Sequence, residues 1–232
     1  MSVASRRVWL FDLDNTLHDA DPHIFPHINR AMTSYVARQA GIGEEEASIL
    51  RETYWRRYGA TLLGLMRHHG TDPHHFLHHT HQFEDLAGMV IYDRALRQSL
   101  RRLPGTKIVF SNAPRHYAEA VLEVMGLRCA FDDVCSIERM RFRPKPEIHG
   151  FLRLLRERRL DPARCVLVED SIVNLAGARH VGLRTVLVTG ISHRSQHPSR
   201  RARAGPSRRI DVQVQSVAHL PRKALRSATT LR

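Results

Sequence analysis

Two aspartates one residue apart, Asp12 and Asp14, follow directly on the apolar run Val8 to Phe11. Like charges this close need a counter-cation, or one of them must hold a proton. A second acidic pair, Glu169-Asp170, ends another apolar run, CVLVED. Brought together, these acids would form an oxygen-rich site. With no His or Cys at these positions, a hard cation such as Mg²⁺ is favoured over zinc. A carboxylate can also attack as a nucleophile and form an aspartyl-phosphate. That chemistry needs donors for the phosphate oxygens and an acid for the leaving oxygen, which later takes a proton from water. Ser111 and Asn112, leading into a helix, can hold phosphate oxygens. Lys145, held between Pro144 and Pro146, can bridge phosphate and Asp12.

These residues need elements to position them. Val8 to Phe11 reads as a short buried strand, Lys107 to Phe110 as a second, Phe131 to Ile137 as a third and Cys165 to Asp170 as a fourth. Arg184 to Val188 reads as a fifth strand and Val212 to Val214 as a sixth. Helices are expected over Pro114 to Met125, Pro146 to Arg159 and Asn174 to His180. Alternation of strands and helices predicts an α/β fold, a Rossmann-like parallel sheet with helices on both faces. Ligands bind such sheets at the carboxyl ends of strands, where strand order reverses. Asp12, Ser111 and Asp170 each stand at the end of a strand, and independent surface polar residues would have no reason to share one such edge.

Between the first two strands the texture changes. Apolar residues recur three and four apart, as in Ile28, Met32, Tyr35 and Val36, with breaks at Gly41-Ile-Gly43 and Gly70-Thr-Asp-Pro73. This predicts an all-helical insert, 20–102, in a catalytic core formed by 1–19 and 103–232. Trp55, Tyr54 and Tyr58 read as the insert's core rather than as base-stacking residues. The segment His68 to Phe83 contains seven histidines. His74, His78 and His81 have helical spacing that could present metal ligands, but exposed residues and local packing are the preferred reading over substrate contact or metal.

The chain has 232 residues and a net charge of +13, with three lysines and the remaining basic residues arginine. A positive field draws in anionic ligands. The densest basic run, His193 to Arg209, lacks aromatic residues and any known nucleic-acid module, so a solvated loop is expected and nucleic acid is not the expected partner. No run of 18 apolar residues predicts a membrane span, and the first residues read as a strand rather than a signal peptide. Cys129, Cys135 and Cys165 lack CxxC spacing and are expected to be buried free thiols, which suggests a reducing, cytoplasmic setting.

The stretches FDLDNTL, FSNAP, RPKPEI and VLVEDSIVNLAGARHVGLRTV, in that order, resemble the haloacid dehalogenase-type phosphohydrolase superfamily. The resemblance runs from about Val8 to Val188, and the helical insert is similar to that superfamily's C1-type cap. TLHD, LPGTKIVFSNAPRHYAEAVLEVMGL and VEDSIVNLAGA are most similar to its pyrimidine 5′-nucleotidases. The resemblance implies Asp12 as nucleophile and Mg²⁺ ligand. Asp14 would be the general acid/base and lend its carbonyl to the metal. Ser111 would bind phosphate with Asn112 beside it, and Lys145 would offset charge between Asp12 and phosphate. Asp170 would ligate Mg²⁺ directly, Glu169 directly or through water, and Asn174 would stand behind them. The chain carries Ser at 111 where Thr is commoner, Asn at 15 where Asp or Gly is commoner, and His at 18 where the nucleotidases often carry Tyr. Relatives that release halide lack the acid at the position of Asp14, because a halide needs no proton.

The expectation is therefore a Mg²⁺-dependent phosphatase of nucleoside 5′-monophosphates, pyrimidine ones first. Its partner is a small phosphate monoester, and the chain acts as a monomer or homodimer. Phosphoglycolate or a sugar phosphate is the alternative substrate. Outside enzymes, the alternative is a basic nucleic-acid scaffold with an idle site.

Overall fold

The computed structural model describes residues 7–190 and 210–221. Six strands form one sheet in the order β3-β2-β1-β4-β5-β6, every neighbouring pair parallel. They are β1 (Val8–Phe11), β2 (Thr106–Phe110), β3 (Asp133–Cys135), β4 (Cys165–Glu169), β5 (Arg184–Val188) and β6 (Val212–Val214). The inner strands β1 and β4 are buried at every residue. Parallel strands covered on both faces have no solvent side, so they read as unbroken apolar runs. The edge strands β3 and β6 are only three residues long, and β6 exposes its central Gln213. Short edge strands offer little unpaired backbone to other chains.

The chain runs from β1 outward through β2 and β3, then returns to β4 on the other side of β1. The order therefore reverses between β1 and β4. Phe11 pairs with Val168, and the Asp12 N–H donates to the Val168 carbonyl at 2.9 Å. This register sets Asp12 against the end of β4. Trp9 is fully buried and its indole N–H donates to the Pro104 carbonyl at 3.0 Å. Gly105 (φ +104°) follows in a turn where a Cβ would come within 2.1 Å of the Arg7 carbonyl. Only glycine fits there, and the turn delivers β2 alongside β1.

Contacts divide the chain into two compact units: the continuous segment Asp21–Met89, and the described residues on either side of it. The segment Asp21–Met89 is helical: α1 (Ile24–Ala40), α2 (Glu44–Tyr58), α3 (Thr61–His69), α4 (Pro73–Thr80) and the single turn α5 (Leu86–Met89). Gly41, Gly59 and Gly70 end the first three helices with positive φ. Asp72 caps α4 by accepting the His74 N–H, with Pro73 in the first turn. Tyr54 packs on Gly64 so closely that a Cβ there would meet the ring at 2.2 Å. Tyr54 and Tyr35 belong to this unit's buried core, whereas Tyr58 and Trp55 are half-buried.

α6 (Leu96–Arg102) groups with the sheet, where Ser99 Oγ donates to the Ala218 carbonyl at 2.9 Å. The sheet's remaining helices are α7 (Arg115–Val124), α8 (Ile148–Glu157) and α9 (Ile172–His180). α8 buries Phe151, Leu154 and Leu155 along one face, and the Phe151 ring meets that of Phe110 of β2 at a tilt, with centroids 4.9 Å apart. The third strand is shorter than the expected Phe131 to Ile137, because residues 128–130 form a 3₁₀ turn and Ile137 pairs its N–H with Ala113 instead. Cys135 and Cys165 are buried free thiols, as expected, but Cys129 is exposed. It lies in that 3₁₀ turn, where apolar neighbours in sequence no longer imply burial. No helix among the described residues is long and apolar enough to cross a membrane. The basic run 193–209 lies outside the described residues, as does the stretch from 222 onward.

Candidate active site

The carboxyl ends of β1, β2 and β4 carry the polar residues singled out above. Asp12 follows β1, Ser111 follows β2, and Glu169 ends β4 with Asp170 next. One carboxylate oxygen from each of Asp12, Glu169 and Asp170 lies within 4.8 Å of the other two, and all three residues are buried. Lys145 enters from the segment before α8 and is itself buried. Its ammonium donates to Asp12 Oδ1 at 2.7 Å, to Glu169 Oε2 at 2.8 Å and to the Phe110 carbonyl at 2.8 Å. An ammonium has three N–H bonds, so all three go to protein oxygens.

Two features hold this lysine. The Asn112 amide oxygen accepts the Lys145 backbone N–H at 2.8 Å, and its NH₂ donates to the Lys145 carbonyl at 3.1 Å. Asn112 thus ties the lysine segment to the end of β2. On the other side, α9 approaches so closely that a Cβ on Gly177 would meet the Pro146 carbonyl at 2.3 Å. Ser111 is buried beside these groups. Its N–H donates to the Cys135 carbonyl at 3.0 Å, and its Oγ accepts the Ala113 N–H at 3.1 Å. Asn174 lies in the first turn of α9, half-buried, with its N–H on the capping Ser171 Oγ. Glu169 Oε1 accepts the Ser171 N–H at 3.1 Å, which fixes the other end of that carboxylate.

Charge at the site is unbalanced. Three buried carboxylates face one ammonium. Burial pushes the Asp12 carboxyl up to about 7, the Glu169 charge adds to this, and Lys145 opposes both. Burial raises Glu169 as well, against the pull of Lys145. Burial alone would lower Lys145, but the charges of Asp12 and Glu169 outweigh it and keep the ammonium charged. A surplus of negative charge on oxygen donors is what a hard divalent cation offsets. The donor set therefore fits such a cation.

Asp14 is half-buried and held by two groups that sequence reasoning left without a role. Tyr117 donates its hydroxyl to Asp14 Oδ1 at 2.6 Å, and His18 Nε2 lies 2.9 Å from the same oxygen. Tyr117 is 103 residues away along the chain, so only the fold brings it there. Arg115, a candidate to approach a substrate, has its backbone N–H on Glu138 and its guanidinium on Glu119.

The histidines of the helical unit are occupied locally. His75 pairs with the Tyr35 hydroxyl, His69 with Tyr54 and His68 with Tyr58, at 2.8, 2.8 and 2.6 Å. His78 meets Gln82, and His81 meets Thr80 and the Leu77 carbonyl. Among the described residues, the acidic trio is the only cluster of three metal-ligating side chains. His74, His78 and His81 do not form such a group among the described residues.

In a doubly wound parallel sheet, ligands bind outside the carboxyl ends of the strands at the switch point, which is where these buried acids stand. The family model for haloacid dehalogenase-like hydrolases matches residues 7–182, and the chain belongs to that family. It is similar to phosphate metabolism protein 8 of Saccharomyces cerevisiae, 24% identical over 199 residues, covering 79% of this chain and 61% of that protein. It is also similar to hexitol phosphatase B of Escherichia coli K12, 30% identical over 79 residues, which are 34% of this chain and 35% of that one. The matches thus span less than two thirds of these relatives' lengths. Among solved structures, a HAD phosphatase from Thermococcus onnurineus superposes with a TM-score of 0.63 at 20% identity, covering 94% of this chain and 97% of the other. L-2-haloacid dehalogenase from Xanthobacter autotrophicus gives 0.59 at 18% identity, covering 96% and 99%. At these identities the likeness is one of fold.

Proposed function

We propose that the chain is a Mg²⁺-dependent phosphatase of small phosphate monoesters, with pyrimidine nucleoside 5′-monophosphates as substrates. The observation that carries this reading is the pairing of Asp12 with a second acid, Asp14, which is held in place by two donors at the same sheet edge. A nucleophile alone would serve release of halide; a positioned acid two residues on serves a leaving group that needs a proton. The names of the yeast and bacterial relatives, which concern phosphate metabolism and a phosphatase, support phosphate chemistry. The nucleotide rests on the similarity of the first, second and fourth motifs to pyrimidine 5′-nucleotidases.

In this reading Asp12 attacks phosphorus in line. The bond from its carboxylate oxygen to phosphorus forms as the ester P–O bond breaks, and Asp14 gives its proton to the departing oxygen. Water then attacks the phosphorus of the aspartyl-phosphate while Asp14 takes one of its protons. Inorganic phosphate leaves and Asp12 is restored. Lys145 keeps Asp12 oriented through Oδ1 and offsets charge beside the phosphoryl group. Its contribution is one of field, since its three N–H bonds already have acceptors. Ser111 donates its hydroxyl to a phosphate oxygen, and Asn112 acts through the Lys145 segment it fastens. Mg²⁺ would be held by Asp12, Asp170 and the Asp14 carbonyl, with Glu169 directly or through water and Asn174 behind them. When bound, it supplies positive charge to the phosphoryl oxygens. The helical unit Asp21–Met89 corresponds to the superfamily's cap, and the sheet-bearing unit to its catalytic core.

A sugar phosphate is the second reading, favoured by the match to hexitol phosphatase B. A panel of UMP, CMP, dTMP, AMP, phosphoglycolate and a hexitol phosphate separates the two. Preference for UMP, CMP or dTMP supports the first reading, and preference for the hexitol ester replaces it. Asp12→Asn is expected to abolish phosphate release from phenyl phosphate, and a chelator to do the same. Full turnover by that variant would refute the mechanism.

A further inference from the structure

The proposed reaction, on which this inference rests, asks more of Asp14 than of any other residue. It must give a proton in one half-reaction and take one in the next, from the same place. A carboxyl on a single Cβ–Cγ bond turns easily, and general acid catalysis tolerates little misplacement. Two side chains from different parts of the fold meet on one of its oxygens.

His18 is brought there by a tight turn. The Thr16 and Leu17 N–H groups both donate to the Leu13 carbonyl, at 3.3 and 2.9 Å. Asn15 sits at φ +59° and its side chain accepts the Ala20 N–H at 2.9 Å. The chain thus returns on itself, and His18 bridges to Asp14. The His18 ring has no solvent exposure, and its Nδ1 has no hydrogen-bond partner among the described residues. Its one polar contact is Nε2 to Asp14 Oδ1 at 2.9 Å, so the ring must carry a proton on Nε2 and donate it.

Tyr117 arrives from a different element, 103 residues along the chain from Asp14. It lies on the buried face of α7, beside Ala118, Val121 and Leu122, and is itself 1% exposed. Its hydroxyl donates to Oδ1 at 2.6 Å. A buried tyrosine hydroxyl and a buried imidazole meeting on one carboxyl oxygen, the imidazole through its single hydrogen bond, are a large commitment of polar groups.

We propose that His18 and Tyr117 are positioning residues that clamp Oδ1 of Asp14, so that the other oxygen, Oδ2, faces the leaving group and passes the proton. The two oxygens then have separate tasks: one anchors, one transfers. Neither clamp touches substrate. His18 thereby has a use independent of substrate choice, although it differs from the residue common in the resembling nucleotidases.

A purely structural pair would affect all substrates alike. A clamp on the general acid affects only those whose leaving group needs a proton. Phenyl phosphate and 2,4-dinitrophenyl phosphate have similar shapes, but dinitrophenolate departs as the anion and phenolate gains from protonation. The ratio kcat/KM reads steps up to the first irreversible one, here transfer to Asp12, so Asp14's later work as a base does not enter. Tyr117→Phe is expected to lower kcat/KM for phenyl phosphate by roughly 30-fold, within the range of general acid catalysis, and for the dinitrophenyl ester by less than about 3-fold. His18→Leu behaves alike, and His18→Gln, which restores an N–H at similar reach, recovers most of the loss. Each variant's melting temperature is measured alongside. Equal losses on the two esters, or no loss on phenyl phosphate, would overturn the clamp while leaving the phosphatase reading intact. No turnover of either ester by the unmodified protein with Mg²⁺ would overturn that reading and the clamp with it.

Discussion

The sheet-bearing unit and the helical unit Asp21–Met89 both concentrate titratable side chains, to different ends. At the carboxyl edge of the sheet, groups from three strand ends and a distant loop converge, buried, on a few oxygens. Lys145 alone satisfies three acceptors within 2.8 Å. In the helical unit, histidines more numerous in sequence pair off one by one with tyrosine hydroxyls, several on exposed faces. Residue type and spacing look promising in both. What separates them is convergence from different elements into a space water cannot screen, where unbalanced charge is costly and must serve some purpose.

The largest effect expected from breaking this contrast comes from Lys145→Met. It leaves Asp12 and Glu169 buried without their counter-charge, at a cost of about 3–5 kcal/mol, read by urea unfolding, together with loss of activity. A loss below about 1 kcal/mol would mean that the edge is wetter than its burial implies. Next, Mg²⁺ should raise stability by about 2.7 kcal/mol at a hundred times its dissociation constant. Asp170→Asn should remove most of that gain, read as the metal-dependent shift in melting temperature. No helical-unit histidine variant should alter it.

A third prediction concerns a charged cluster of the sheet unit away from the site. Burial alone would raise Asp133, but hydrogen bonds and charge from Arg139 and Arg158 hold it below its ordinary 3.8. A carboxyl depressed in the folded state stabilises the protein above its unfolded value, and that contribution is lost as pH falls through the folded one. Asp133→Asn should therefore cost about 1.5–3 kcal/mol at pH 7 by thermal or urea unfolding. The gap to the parent protein should close below about pH 3.8. The smallest effect belongs to Tyr58→Phe, which removes the exposed contact with His68. It should change stability by no more than about 0.5 kcal/mol and leave phosphate release unaltered.

The same contrast explains what could be read in advance. Strands β1 and β4 were visible as unbroken apolar runs, because burial on both faces leaves no alternation. The acids that follow them were visible because strand ends share an edge in any parallel sheet. Hidden from sequence was everything that depends on side-chain direction. Asn112 reads as a phosphate ligand but turns both its amide groups to the Lys145 backbone. Lys145 reads as a bridge from phosphate to Asp12, yet its second carboxylate partner is Glu169. Tyr117 gives no signal, since nothing local reveals that the face of α7 it shares with Ala118 and Val121 meets the turn after β1. In the helical unit Gly59 ends α2 without the paired glycines or proline that marked the other breaks. Cys129 shows the same limit: apolar neighbours in sequence do not bury a residue in a 3₁₀ turn.

The central claim is that Asp12 becomes covalently phosphorylated. Acid quenching during turnover of ³²P-labelled phenyl phosphate, followed by peptide mapping, tests it most directly. The account predicts a hydroxylamine-labile label confined to the peptide holding Asp12 and absent from Asp12→Asn. Turnover with no trapped label, or with label on another residue, would contradict it.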